Sequence, residues 1–177
     1  MKAQPEVTIR EERPEDIPAI HALQLAAFGQ PDEAVLVDAL RAGGGVILSL
    51  VAVAGDEVVG HVLFSPIEIV SDGGGALRGA TGLAPMGVLP AWQGRGVGGA
   101  LVREGLERLR ALGRRGVVLV GHPGYYPRFG FQPASRLGLR WEHEVPDAAF
   151  MAIELREGGL GGGPGVVRFR PEFDAVN

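Results

Sequence analysis

Cysteine is missing from all 177 residues. That excludes disulfides, thiolate metal sites and a cysteine nucleophile. Histidine is scarce, four in all, and no pair stands at metal-ligand spacing, so no metal is expected. No apolar run reaches the roughly 20 residues a spanning helix needs. The first residues, Met1-Lys2-Ala3-Gln4-Pro5-Glu6, lack the apolar core of a secretory signal. The expectation is a cytoplasmic protein with no membrane partner. A basic surplus is also absent. Seventeen Lys and Arg face 21 Asp and Glu, for a net charge of −4 and a pI near 5.6. That argues against a nucleic-acid-binding surface; it permits a cationic amine substrate without demanding one.

What the chain has in plenty is glycine, 29 residues. Runs such as Gly43-Gly44-Gly45 and Gly73-Gly74-Gly75 precede no strong helix signal and read as ordinary loops. One group stands apart. Gly94, Gly96, Gly98 and Gly99 follow a mostly apolar segment, Gly82 to Leu89, and precede an amphipathic run from Val97 to Leu112. A strand handing over to a helix through glycines is a place where backbone N–H groups can approach a ligand closely. The first N–H groups of a helix lack intrahelical partners, and the helix dipole favours negative charge there. A phosphate or pyrophosphate is the natural guest, and Arg95 adds positive charge. The competing reading is a plain turn.

The rest of the chain reads as alternating elements of one domain. Val7 to Arg10 is a strand. Residues 15–28 form a helix with Ile17, Ile20, Gln24 and Phe28 along one side, ended by Gly29. Asp32 to Arg41 is a second helix, stopped by Gly43. Ile47–Ala54 and Glu57–Phe64 pair across a Gly55-Asp56 turn whose two residues supply positive φ. Pro66 interrupts before Ile67 to Val70, and Ser71 to Arg78 is a loop. Pro85 interrupts strand 82–89 and leaves a bulge there. Gly105 within helix 97–112 signals close packing against the sheet. Val117 to Val120 follows as a strand, parallel to 82–89 by the handedness of the crossover. Tyr125 to Phe129 makes a short helix capped by Gly130. Strands at Phe131–Pro133, Phe150–Arg156 and Val166–Arg170 complete the chain.

Two phosphate-loop families fail on detail. Gly94-x-Gly96-x-x-Gly99 formally matches the dinucleotide fingerprint. However, the strand that follows ends Val120-Gly121-His122-Pro123, with no acid for a ribose hydroxyl. No Gly-Lys-Ser/Thr follows the glycines, which excludes a Walker loop.

Gln93-Gly94-Arg95-Gly96-Val97-Gly98, with Val88-x-Pro90 before it, resembles the acetyl-CoA motif of the GCN5-related N-acetyltransferase (GNAT) superfamily. Tyr126-Pro127-Arg128-Phe129-Gly130-Phe131 resembles the later Tyr-x-x-x-Gly-Phe motif of that superfamily. With Tyr125 and the segment after it, the match is to the YhbS-like subgroup. It is close over about residues 80–155 and looser over 5–155.

The resemblance implies an α/β (α+β) fold. The sheet is mixed and mostly antiparallel, flanked by helices, with splayed parallel strands at the cofactor site. It implies one N-acetyltransferase domain over 1–177, with a core of about 5–155 and a C-terminal extension over 156–177. The cosubstrate is acetyl-CoA. It is held by Gln93, Gly94, Arg95, Gly96, Gly98 and Gly99, and by the backbone of Met86 and Val88, one of whose N–H groups polarises the thioester carbonyl. The acceptor is a small-molecule or peptide amine, and a homodimer is compatible with the family. The amine attacks directly, and Tyr126 matches the position that protonates the departing thiolate. A tyrosine pKa of roughly 10 keeps it protonated near neutrality. Many relatives carry a glutamate base on the strand before the glycine turn, but 82–89 has no acid. His122 ranks first as a substitute, ahead of Glu68 and His61. His21 and the run Trp141-Glu142-His143-Glu144 are weaker candidates near an acceptor. A non-catalytic CoA-binding module is the alternative, and a nucleotide-dependent oxidoreductase is a distant third.

Overall fold

The computed structural model describes residues 5–161 and 163–176. In chain order it contains β1 (Val7–Glu11), α1 (Ile17–Phe28), α2 (Asp32–Ala42), β2 (Leu48–Ala54), β3 (Glu57–Ser71) and β4 (Ala76–Val88). Then come α3 (Val97–Ala111), β5 (Gly116–Val120), β6 (Gln132–Pro133), β7 (Leu139–Trp141), β8 (Phe150–Glu154) and β9 (Gly165–Arg168). The strand order is β1-β2-β3-β4-β5-β8-β6, with β9 on β3 and β7 on β9. Most pairs are antiparallel; β4 with β5, and β7 with β9, are parallel. The fold is the mixed α/β arrangement the motifs imply. The chain forms two compact units, and the long elements β3, β4 and α3 each contribute to both.

The first unit takes the described residues up to Phe64, then Ala84–Gly105, then the described residues from Glu172. Here β1 pairs with β2, and β2 with the first half of β3. Side chains alternate along a strand, so each face of the sheet collects its own set. On one face Val51 and Leu63 pack with Ile20 of α1 and Leu36, Val37 and Leu40 of α2. On the other, a Cβ at Gly60 would lie 2.9 Å from Val97 Cγ1 and 3.0 Å from Leu101 Cδ1 of α3. A Cβ at Gly105 would collide with the Phe64 ring, so the close packing expected there is present. The β2–β3 turn is the two residues expected, Gly55 and Asp56, but not with the backbone expected. Only Gly55 has positive φ, at 61°, and Asp56 does not. Positive φ at the first central residue alone is the pattern of a type II′ turn rather than I′. Phe28, expected on the buried side of α1, is 42% exposed at the helix end.

The second unit takes Ser65–Leu83 and Leu106–Pro171. Its strands pair β3 with β9, β4 with β5, β5 with β8, β8 with β6, and β9 with β7. Ile67, Ile69, Ala80, Val118, Phe150, Ala152, Leu160 and Val167 share one core, with Trp141 and Phe169 against it. Arg114 fastens the turn after α3 to β4. Its Nε donates to Thr81 Oγ1 at 2.9 Å and its Nη2 to the Ala80 carbonyl at 2.8 Å.

Both prolines expected to break strands are accommodated. On one edge of β3 the ladder to β2 ends at Phe64 and the ladder to β9 begins at Glu68. Pro66 falls between them, where its missing N–H leaves no partner waiting. Pro85 sits inside an unbroken β4, after a cis Ala84–Pro85 peptide. Proline's φ lies within the extended range, so losing one donor does not end the strand. Of the stretch Ser71 to Arg78, expected to be a loop, the last three residues, Ala76–Arg78, are the start of β4.

Candidate functional site

The first unit holds every residue expected to bind the cosubstrate. Leu89 N–H donates to the Val59 carbonyl of β3 at 2.9 Å. Backbone groups alternate between the two edges of a strand. Those of Gly87 therefore face β3 as well, and those of Met86 and Val88 face the opposite edge. The Val88 carbonyl accepts from Gln93 Nε2 at 3.0 Å, which ties the strand end to the loop that follows. The ladder between β4 and β5 covers only Ala80–Gly82 against Gly116–Val118, so it includes neither Met86 nor Val88.

After a single 3-10 turn at Pro90–Trp92 the chain runs through Gln93, Gly94, Arg95 and Gly96, all exposed. Gly94 and Gly96 have φ of 75° and 83°, a region that L side chains rarely adopt. No neighbouring atom lies within 4 Å of where a Cβ would stand on either. These glycines are required by the backbone path, and the space beside them is free. The Arg95 guanidinium lies over the Trp92 ring, 5.2 Å from its centre. The first helical hydrogen bond of α3 runs from Ala100 N–H to the Gly96 carbonyl at 3.0 Å. The N–H groups of Val97, Gly98 and Gly99 precede it and have no intrahelical partner. Gly96 has no side chain to cap them, and no acid occupies the first turn. An anion is what such an end accepts best.

The second unit holds Tyr126 and His122. After β5 the chain turns, and the His122 carbonyl accepts from the Tyr125 N–H at 3.1 Å. Tyr126–Phe129 is a 3-10 turn closed by Gly130 at φ 101°. The Tyr126 ring is half-buried and meets Tyr125, Phe129 and Phe131 edge-on, with centroids 5.0, 6.3 and 5.8 Å away. A Cβ at Gly121 would lie 2.5 Å from Tyr126 Cε2, so that glycine makes room for the ring. Burial, with the neighbouring Tyr125 adding to it, pushes the Tyr126 phenol up to about 12. Its hydroxyl has no hydrogen-bond partner among the described residues. The His122 side chain is exposed in the same turn.

The remaining candidates fall elsewhere. His61 is fully buried, and both its ring nitrogens are engaged, by Gln24 and Ser49 at 2.8 Å each. Burial depresses its pKa to about 4, so the ring is neutral at pH 7. His21 pairs at the surface with Asp38 at 2.8 Å. Glu68 is half-buried on β3, opposite Arg168 of β9. Trp141 packs against Phe150 and Phe169 in the second core, while Glu142, His143 and Glu144 are exposed. Sequence reasoning missed Gly121, whose part depends on the ring it faces. It placed Gln24 in the apolar stripe of α1 but missed its partner, His61.

A bare helix N-terminus reached from a strand through glycines marks a class of α/β proteins that hold phosphate-bearing cofactors or cosubstrates. The comparisons narrow that class. Residues 8–134 match the family model of the acetyltransferase (GNAT) domain. YhbS of Escherichia coli (strain K12), described as an uncharacterized N-acetyltransferase, is 37% identical over 167 residues, 94% of this chain and 98% of its own. The crystal structure of Escherichia coli YhbS in complex with CoA matches with a TM-score of 0.90 at 35% identity, covering 98% of this chain and 95% of that one. A GNAT family acetyltransferase from Brucella melitensis in complex with acetyl-CoA matches with a TM-score of 0.79 at 40% identity, over 96% and 99% of the two chains. The chain belongs to the GNAT family of acetyltransferases.

Proposed function

We propose that the protein transfers an acetyl group from acetyl-CoA to a primary amine by direct attack, with Tyr126 as general acid. The observation that carries the reading is the uncapped start of α3 beside the open glycine loop. Val97, Gly98 and Gly99 present N–H groups to the pyrophosphate, and Gln93, Gly94, Arg95 and Gly96 line its approach. Met86 and Val88, whose backbone groups point away from β3, receive the pantetheine arm. One of their N–H groups holds the carbonyl oxygen as charge develops on it. The two structural matches whose crystals contain CoA or acetyl-CoA support this cosubstrate.

The reaction forms an N–C bond and breaks the C–S bond. The sulfur gains one proton and the nitrogen loses one. Tyr126 supplies the first; a phenol raised to about 12 stays protonated across the working range. His122, exposed in the same turn, takes the second and passes it to solvent. Tyr126 is then reprotonated from water. No covalent intermediate is needed. The protein works as one acetyltransferase domain over 1–177, and its acceptor is a small-molecule or peptide amine.

Calorimetric titration with acetyl-CoA, CoA and NADH tests the reading. Acetyl-CoA and CoA are expected to bind and NADH is not. No acetyl-CoA binding at millimolar ligand overturns the proposal, and NADH binding in its place points to the dinucleotide fingerprint instead.

A further inference from the structure

A line of polar side chains, buried toward its inner end, crosses the first unit, and the chemistry above leaves it unused. Arg41 of α2 holds Glu12 in a fork, Nε to Oε2 at 3.1 Å and Nη2 to Oε1 at 2.8 Å. Ser49 of β2 donates its hydroxyl to Glu12 Oε1 at 2.6 Å. His61 of β3 lies 2.8 Å from Ser49 Oγ through Nε2, and 2.8 Å from Gln24 Nε2 through Nδ1. His61 and Gln24 are 0% exposed.

The sense of the line is fixed from one end. Burial alone would raise the Glu12 carboxyl, but the hydrogen bonds from Arg41 and Ser49 hold it below its usual range, so it is ionised. An ionised carboxylate only accepts, so Ser49 spends its single proton there. Ser49 Oγ must then accept, and His61 Nε2 carries the ring proton. His61 Nδ1 is left bare and needs a donor, which Gln24 Nε2 supplies. Turning the Gln24 amide over would set oxygen against bare nitrogen. Gln24 Oε1 is therefore held facing the other way, buried and without a hydrogen-bond partner.

What it faces is β4. A Cβ on Gly87 would lie 2.7 Å from Gln24 Oε1, 3.1 Å from Ala27 Cβ and 3.2 Å from Leu23 Cδ2. Helix α1 thus presses its one buried amide onto the strand at the single residue between Met86 and Val88. We propose that Glu12, Ser49, His61 and Gln24 form a positioning device for acetyl transfer, which seats α1 on Gly87 and so sets where the Met86 and Val88 peptide groups stand. Gln24 and His61 touch neither substrate; they act through the strand. The inference rests on the acetyl-CoA reading of that strand. Small misplacement of reacting groups is enough to slow a reaction by about a hundredfold.

Gln24→Met keeps the side-chain length and removes both hydrogen-bonding atoms. Gln24→Glu keeps an oxygen toward Gly87, and its neutral form still donates to His61 Nδ1. With folding checked by circular dichroism, Gln24→Met is expected to lower kcat/KM for acetyl-CoA by roughly tenfold or more, and Gln24→Glu to recover most of that loss. In the unmodified protein, saturating CoA is expected to move the ¹⁵N signals of the His61 ring, although that ring is closed to solvent. Gln24→Met with unchanged kcat and KM overturns the inference, and so does a His61 ring that is indifferent to bound CoA. If Gln24→Met does not fold, the ring titration decides alone. A protein that binds no CoA at all removes the acetyl-CoA reading first, and this inference with it.

Discussion

The glycine loop at Gln93–Gly99 and the tyrosine turn at His122–Phe131 are built on opposite plans. The loop is exposed from Gln93 to Gly96 and offers backbone: two glycines at positive φ, empty space beside them, and a helix end with no cap. The turn offers one side chain, wedged among three aromatic rings over a glycine, with a phenol that burial makes harder to ionise. The first plan suits binding a large anion, where many weak donors must converge. The second suits holding one proton in one place. In the proposed reaction, damage to the loop should appear in affinity and damage to the turn in turnover.

The largest effect is expected at the turn. Tyr126→Phe keeps the ring packing and removes the proton, so turnover should fall by about 10²–10⁴-fold, while calorimetry gives an unchanged Kd for CoA. Next comes the loop. Gly96→Val places a β-branched residue at φ 83° and should weaken acetyl-CoA binding by at least about tenfold. Gly74→Val sharpens this test. Gly74 also has positive φ, 100°, with open space beside it, but it lies in the β3–β4 turn. Thermal melts should show it as destabilising as Gly96→Val, with the Kd for acetyl-CoA intact. The smallest effect is Arg95→Ala, whose exposed cation should contribute about twofold to fivefold in affinity, less as salt rises.

His61 gives the fold a pH sensitivity below neutrality. Its folded pKa, about 4, lies below the ordinary 6.5. The unfolded chain takes up a proton as pH drops through 6.5, and the folded one does not. Stability is therefore full above about 6.5 and is lost progressively toward 4, by at most about 3 kcal/mol. Urea unfolding at pH 7 and pH 4.5 should show this loss, and His61→Gln should flatten it.

Much of this was legible in the sequence, for identifiable reasons. The loop and the turn are local, and each is written in consecutive residues. The helix ends at Gly29 and Gly43, and the close packing at Gly105, could likewise be read from single glycines. The prolines misled, because whether a missing N–H matters depends on what lies beside the strand. Pro66 is harmless only because β2 ends and β9 begins around it, a fact 100 residues away in sequence. Gln24 announced itself as a polar residue in an apolar stripe. Its partner His61 is on β3, and Ser49 of β2 and Glu12, the residue after β1, complete the line, which only the register of β1, β2 and β3 aligns. Glycine 121 carried no signal of its own, since it takes its meaning from the ring above it.

The central claim is that binding and proton transfer are divided between the loop and the turn. The most direct test measures acetyl-CoA affinity and single-turnover acetyl transfer side by side for Gly96→Val and Tyr126→Phe. The account predicts a crossed pattern, with Gly96→Val weak in binding but recovering its turnover at saturating acetyl-CoA, and Tyr126→Phe normal in binding but slow at every concentration. Normal turnover in Tyr126→Phe, or a matching loss of affinity in both variants, would contradict it.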